Sequence, residues 1–409
     1  MRVVVTGMGA VSPLGIGVAK FKEGIFSGAN GIDTIPELVE WGLPVTFGGK
    51  VWDYKDEDFF DRKESRRLDR FSKLAIVAAE EAWKDADIKD YDPYRVSTII
   101  ATGMGGLDTL EKNKEILLKK GPRYVSALSV PMLIPNMAGA NIALRLGLKG
   151  QSFTPVTACA SSLDAIGLAY RLLKAGTADV AVVGGTEAGL TPLGVSGFAS
   201  ARALSRRNDD PKHASRPFDK DHDGFVMAEG AAVLVIETLE HAMKRGAKIY
   251  AEIVGYGATS DAYHITAPNP EADTQAKAIE LAMEEAGIQP EDIDYVNAHG
   301  TSTPANDTTE TKVLKKALGE YAYKVHISST KSMTGHLLGG AGAIEAIATI
   351  LAINEDMVPP TINFEEPDPE CDLNYTPNEA VKKDIRYALK ESFGFGGHNS
   401  AVIFKRWEE

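Results

Sequence analysis

The chain has 409 residues, 44% of them hydrophobic and 25% charged, with a net charge of −13. That length allows a large core or two domain-sized halves, and the composition is that of a folded globular protein. The acid excess argues against general nucleic-acid binding, and two cysteines cannot build a disulfide framework, so the expected setting is a reducing one.

Val3-Val4-Val5-Thr6-Gly7 reads as a first strand, with no basic-then-apolar leader before it. Thr6-Gly7-Met8-Gly9 imitates a dinucleotide loop, but Ser12 stands at the third glycine position and no acid-tipped second strand follows. A helix is predicted from Phe71 to Ile88, then a turn at Pro93, the strand Val96–Ile100 and the loop Gly103-Met104-Gly105-Gly106. Next comes Thr157-Ala158-Cys159-Ala160-Ser161-Ser162, followed at once by a helical apolar pattern through Leu163, Ile166, Leu168, Leu172 and Leu173. Peptide dipoles at a helix start favour negative charge, so a thiolate at Cys159 is expected to be stabilised. The plainer alternative is a buried cysteine acting as a small hydrophobe. Val180–Val183 and Ala232–Ile236 are apolar runs of the kind buried on both faces of a sheet. Asp219–Gly224 imitates the start of a calcium loop, but Gly230 stands where the loop's closing Glu belongs.

Residues 274–303 then repeat the plan of 71–106: a helix from Gln275, a turn at Pro290, the strand Ile293–Val296, and the loop His299-Gly300-Thr301. Lys331-Ser332-Met333-Thr334-Gly335-His336 precedes a second apolar helix, through Ile344, Ile347 and Leu351, as the Cys159 loop precedes its own. This places His336 at a helix start. Gly394-Phe395-Gly396-Gly397 closes the series with a loop able to approach a ligand closely. The echoes predict an α/β fold in two halves, 1–248 and 249–409, with the site where they meet at strand C-terminal ends. No uninterrupted apolar run approaches the ~20 residues a membrane helix needs, so a soluble cytoplasmic protein is expected. A cysteine and two histidines in separate small-residue loops suggest covalent catalysis, for which a cysteine hydrolase is the generic reading.

Taken together, the segments around Cys159, His299 to Asp307, Lys331 to His336 and Gly394 to Gly397 resemble the β-ketoacyl-acyl-carrier-protein synthases, in particular the elongating type II enzymes of bacterial fatty-acid synthesis. The likeness runs from Val3 to Phe404. It implies a thiolase-like duplicated α/β/α/β/α fold, a homodimer, and two-carbon elongation by decarboxylative Claisen condensation of malonyl-carrier protein with a Cys159-bound acyl chain. It implies that the N–H groups of Cys159 and Phe395 form an oxyanion hole, that Phe395 gates it, and that His299 and His336 stabilise an enolate. Lys331 would balance the site's charge and Glu345 would brace it. Thr301 and Thr303 would hold the phosphopantetheine arm, which arrives on the acyl carrier protein, so neither a separate cofactor nor a metal is expected. Met104 and Phe198 would line the acyl pocket. Carrier proteins are acidic, so Lys63, Arg66 and Arg67 in the densest basic run, with Arg206, are the docking candidates. Ala228 and His398 depart from the family pattern, outside the implied chemistry. A polyketide ketosynthase, a chain-length partner lacking the cysteine, and a thiolase using a second cysteine are the rival readings. Cys371, in the acidic loop Pro369–Asp372, is a poor place for that second thiolate.

Overall fold

The computed structural model describes residues 1–408. The main strands of its large sheet are β1 (Val3–Ser12), β2 (Val96–Ala101), β3 (Ser152–Phe153), β4 (Val180–Glu187), β5 (Gly230–Thr238), β6 (Ala251–Ser260), β7 (Tyr295–Asn297), β8 (His326–Ser328), β9 (Tyr387–Gly394) and β10 (His398–Arg406). They follow one hydrogen-bonded path in the order β8-β7-β9-β10-β6-β1-β5-β4-β2-β3, and Gly15–Ile16 adds a short hairpin to β1. Read outward from the β6/β1 contact, both sides have the same plan. Each has an antiparallel pair, a second antiparallel step, then parallel neighbours. The two sets join through Val3↔Ile253, Val4↔Glu252 and Val5↔Ala251, so the ladder is continuous rather than two separate sheets.

The main helices are α1 (Arg70–Ala86), α2 (Ser161–Lys174), α3 (Asp273–Ala286), α4 (Pro304–Leu318) and α5 (Ala341–Glu355). α2 and α5 form the middle layer: their apolar residues share one core with side chains from β1, β4, β6 and β10. α1 covers the outer face of one strand set and α3 with α4 that of the other, each over its own core. The result is the expected five-layer arrangement. Leu338–Glu355 is the one stretch among the described residues with the length and mean hydropathy of a membrane span, but Glu345 and Glu355 interrupt it and 89% of it is buried as the middle layer.

The glycines of the first strand have a packing role that the dinucleotide-loop resemblance hid. A Cβ on Gly7 or Gly9 would collide with the carbonyl oxygens of Ala82 and Ala78 of α1. A Cβ on Gly255 or Gly257 of β6 would collide in the same way with Ala282 and Ala278 of α3. Backbone-to-backbone contact of helix on strand thus recurs in both strand sets, and only glycine permits it. Gly257→Val is expected to destabilise the fold by about 3 kcal/mol, the upper end of the usual cost of overpacking, measured as a drop in the denaturation midpoint, because both contacting groups are backbone.

The calcium-loop imitation also has a structural use. Asp219 accepts from the Arg216 guanidinium and from the N–H groups of Asp221, Glu365 and Glu366, which occupies its oxygens.

Candidate active site

Cys159 sits in a single 3-10 turn, Ala158–Ala160, directly ahead of α2. Ala158 has φ 51, a left-handed conformation that costs a non-glycine residue roughly 1–3 kcal/mol and is kept only where the surroundings enforce it. The enforcing contacts are local: Ser161 Oγ accepts from Thr157 N–H and donates to Ala158 O, and Thr157 Oγ1 donates to Asp164. Across from the turn, the end of β9 comes so close that a Cβ on Gly394 would meet Thr157 O at 2.6 Å and Cys159 N at 3.1 Å. This approach aims the Phe395 N–H at the cysteine sulfur.

His299 follows β7, and its main chain is clamped from two sides. Its N–H donates to Glu310 Oε1 at 2.6 Å, and the Gly300 N–H donates to the other oxygen at 2.7 Å. Its carbonyl accepts from Lys331 Nζ at 2.5 Å, and the same amine lies 3.5 Å from His299 Nδ1. His336 does not begin a helix. It lies between a short helix, Lys331–Thr334, and the turn leading into α5, and is pinned as a strand residue would be, with its N–H to Val226 O and its O from Ala228 N–H. Its Nδ1 accepts the Leu338 N–H at 3.2 Å. With both Nδ1 atoms accepting, both Nε2 atoms carry the hydrogen. The imidazole rings are 5.5 Å apart at 85°, and the Cys159, His299 and His336 heteroatoms lie within 4.8 Å of one another.

Cysteine and histidines at that spacing can hold a soft metal, but a histidine ligating through Nε2 normally donates its other N–H outward. Here both outward nitrogens accept, so the pair is set as two hydrogen-bond donors. Burial holds both imidazoles well below their usual 6.5, and Lys331 and Lys390 push in the same direction. Burial also raises the Cys159 thiol to about 12, against the opposing pull of Lys331 and of the Phe395 N–H. Desolvation therefore acts against the thiolate that the helix end was expected to favour.

Lys331 and Glu345 meet as expected, Nζ to Oε1 at 2.5 Å, and Glu345 projects from α5. Thr301 and Thr303 hydroxyls are 2.8 Å apart. Both line a cavity of 380 Å³ that also exposes Cys159, His299, His336 and Phe395. Met104 and Phe198 do not line that cavity. They pack with Cys159 in an apolar cluster that includes Leu190, Phe225, Met227 and Leu338, and the Phe198 and Phe395 rings are 6.4 Å apart. Lys63, Arg66 and Arg67 line a surface depression with Arg62 and Leu128, which Arg206 does not reach.

Four buried groups were not anticipated. Glu187 joins the Met104 loop to the His336 loop by accepting from Thr102, Gly103, Met104 and Gly339. Glu310 clamps His299, and Lys390 and Glu391 lie under it, fully buried. The available signal was charge inside strands otherwise reading as buried, in Tyr387-Ala388-Leu389-Lys390-Glu391-Ser392-Phe393 and in Val183-Gly184-Gly185-Thr186-Glu187.

The family model for the β-ketoacyl synthase N-terminal domain matches residues 1–242, and that for the C-terminal domain matches 250–365. The chain is 53% identical to a 3-oxoacyl-[acyl-carrier-protein] synthase 2 from Synechocystis, covering 100% of this chain and 98% of that protein. It is 51% identical to a protein of the same name from Staphylococcus aureus, covering 100% and 99%. Among solved structures, a β-ketoacyl synthase from Burkholderia phymatum superimposes with TM-score 0.93 at 36% identity, over 100% of both chains. A type II polyketide acyl-carrier protein in complex with its hexaketide-bound ketosynthase matches with TM-score 0.93 at 37% identity, over 100% of this chain and 99% of that one.

Proposed function

The chain belongs to the β-ketoacyl synthase family, and we propose that it is a 3-oxoacyl-[acyl-carrier-protein] synthase of the elongating type 2 class. The observation that carries this reading is the convergence of one thiol and two Nε2–H donors on one cavity. A hydrolase needs a base to activate water, whereas two imidazoles held neutral with their hydrogens turned inward suit an enolate. Identity of 51–53% to proteins named synthase 2, against 37% to the polyketide ketosynthase, supports fatty-acid elongation.

In the first half-reaction Cys159 Sγ attacks the acyl thioester carbon. The bond to the phosphopantetheine sulfur breaks, and the thiol proton ends on the departing thiol. The arm lies along Thr301 and Thr303, and the acyl chain enters the apolar side of Cys159 as Met104, Phe198 and Phe395 shift. In the second, malonyl-carrier protein loses CO₂, and the electron pair of the broken C–C bond becomes an enolate whose oxygen receives the His299 and His336 N–H groups. The enolate carbon attacks the Cys159 thioester. The Cys159 and Phe395 N–H groups take the oxyanion, the C–S bond breaks, and the thiolate regains one proton from solvent. Lys331 and Glu345 hold the histidine loops and touch no reacting atom. The reaction draws on no resident metal or cofactor.

Docking of the acidic carrier at Lys63, Arg66, Arg67 and Arg206, a cytoplasmic location, and a division at 248/249 complete the reading. So does a homodimer, supported by exposed apolar side chains at Leu117, Leu118, Tyr124, Leu128, Val130 and Ile134.

The test is a single turnover with acyl-carrier protein, read by intact mass, then addition of malonyl-carrier protein. Wild type is expected to show an acyl adduct that Cys159→Ala lacks, and to convert it to β-ketoacyl-carrier with release of CO₂. An adduct that yields only free acid would mean a hydrolase.

A further inference from the structure

Lys390 is a fully buried lysine for which the reaction above has no use. Its Nζ lies 3.3 Å from Asn297 O and 3.2 Å from Ala298 O, and also donates to Glu391 O. It is 2.7 Å from Glu345 Oε2, while Lys331 takes the other oxygen of the same carboxylate. Every neighbour is an acceptor. A neutral amine would have to turn its lone pair on one of them, so the set fits an ammonium ion held as a cation. Asn297 and Ala298 are the two residues immediately before His299. From the geometry we propose that Lys390 is a positioning residue, an internal cation that ties the end of β7 to Glu345 and so fixes the imidazole of His299 for condensation.

Lys331, on the Lys331–Thr334 helix, Glu345 on α5, Glu310 on α4, Glu391 on β9, His299 after β7 and His336 are the titratable groups around Lys390. Burial raises the carboxyls of both Glu310 and Glu391; Asp307 adds to the first, and Glu310 adds to the second, which is raised strongly. Burial, with repulsion from Lys331, holds the Lys390 amine below its usual 10.5, and Glu345 and Glu391 offset part of that. Its charge in turn holds both imidazoles down. Lys390 touches neither Cys159 nor the cavity, so its loss should act on the histidine step and spare the thiol step.

This rests on the condensation reading, so wild-type enzyme is assayed for both half-reactions first; failure of wild type to condense would overturn that reading rather than this inference. In Lys390→Met, condensation is expected to fall about 10- to 100-fold, the cost of a small misplacement of a reacting group, while Cys159 acylation stays within about threefold. The acid limb of the condensation pH profile should move to higher pH, since a cation repelling imidazole protonation is gone. The double variant Lys390→Met/Glu391→Gln removes one cation and one acid together and guards against misfolding. It should show the same split between half-reactions. Ammonium chloride should partly restore condensation by Lys390→Ala, and tetramethylammonium, which has no N–H, should not. Equal loss of both half-reactions, unchanged condensation with an unmoved pH profile, or failure of both Met variants to fold would each overturn the proposal, the last by making Lys390 a folding residue.

Discussion

Replacing either His299 or His336 with alanine is expected to lower condensation by about 10²- to 10³-fold, the usual cost of removing one preorganised donor to a developing oxyanion. The acyl adduct on Cys159 should still form, because the Cys159 and Phe395 N–H groups that serve acylation are carried by other elements, the turn before α2 and the end of β9. Loss of CO₂ from malonyl-carrier protein should fall in parallel with condensation. The measurement is intact-mass acylation beside CO₂ release on the same protein sample. The pH profile follows from the same geometry. A donor imidazole works in its neutral form, which prevails above its pKa, and burial holds both pKa values well below 6.5. Condensation should therefore stay level as pH falls through 6.5 and decline only on the more acidic side. A decline centred at the ordinary histidine value would show that the imidazoles are hydrated in solution.

Reversing Lys63, Arg66 and Arg67 to glutamate is expected to raise KM for carrier-borne substrates by about 10²-fold, the scale on which charged patches change local substrate concentration and on-rate. These exposed side chains and Arg62 line one depression, and Glu64, the acid within the run, is engaged by Arg145 instead. Four cations are thus left to face an incoming partner on a chain whose net charge is −13. The effect should shrink as salt rises, since exposed charges are screened beyond ~8 Å at physiological ionic strength. It should be absent for a free pantetheine thioester, which needs the cavity but not the patch. Arg206→Glu alone should have a smaller effect, because Arg206 lies outside the depression. An unchanged KM for the triple variant would move docking to another face.

The duplicated plan was readable because it repeats in short windows: helix, turn, strand and glycine-rich loop at 71–106 and again at 274–303. The roles of Gly7 and Gly9 were not readable, because the helix backbone they accommodate lies about 70 residues further along, at Ala78 and Ala82. His336 stood in the right loop but was expected at a helix start. The bridge from Val226 and Ala228, over a hundred residues earlier, makes it a strand-like residue and sets its tautomer through Leu338.

The Lys331–Glu345 pair came only from the family resemblance, whereas the sequence by itself determined the α/β class and singled out Cys159, His299 and His336 as candidate reactive groups. Each lies in a short segment whose residue types carry their own chemistry. Only the tertiary structure decided the protonation states and the hidden supports. Desolvation pushes the Cys159 thiol up against the pull of the helix end, and Glu187, Glu310, Lys390 and Glu391 matter because the fold takes them out of water. Desolvation is a property of everything packed around a group, so no window of neighbouring residues contains it.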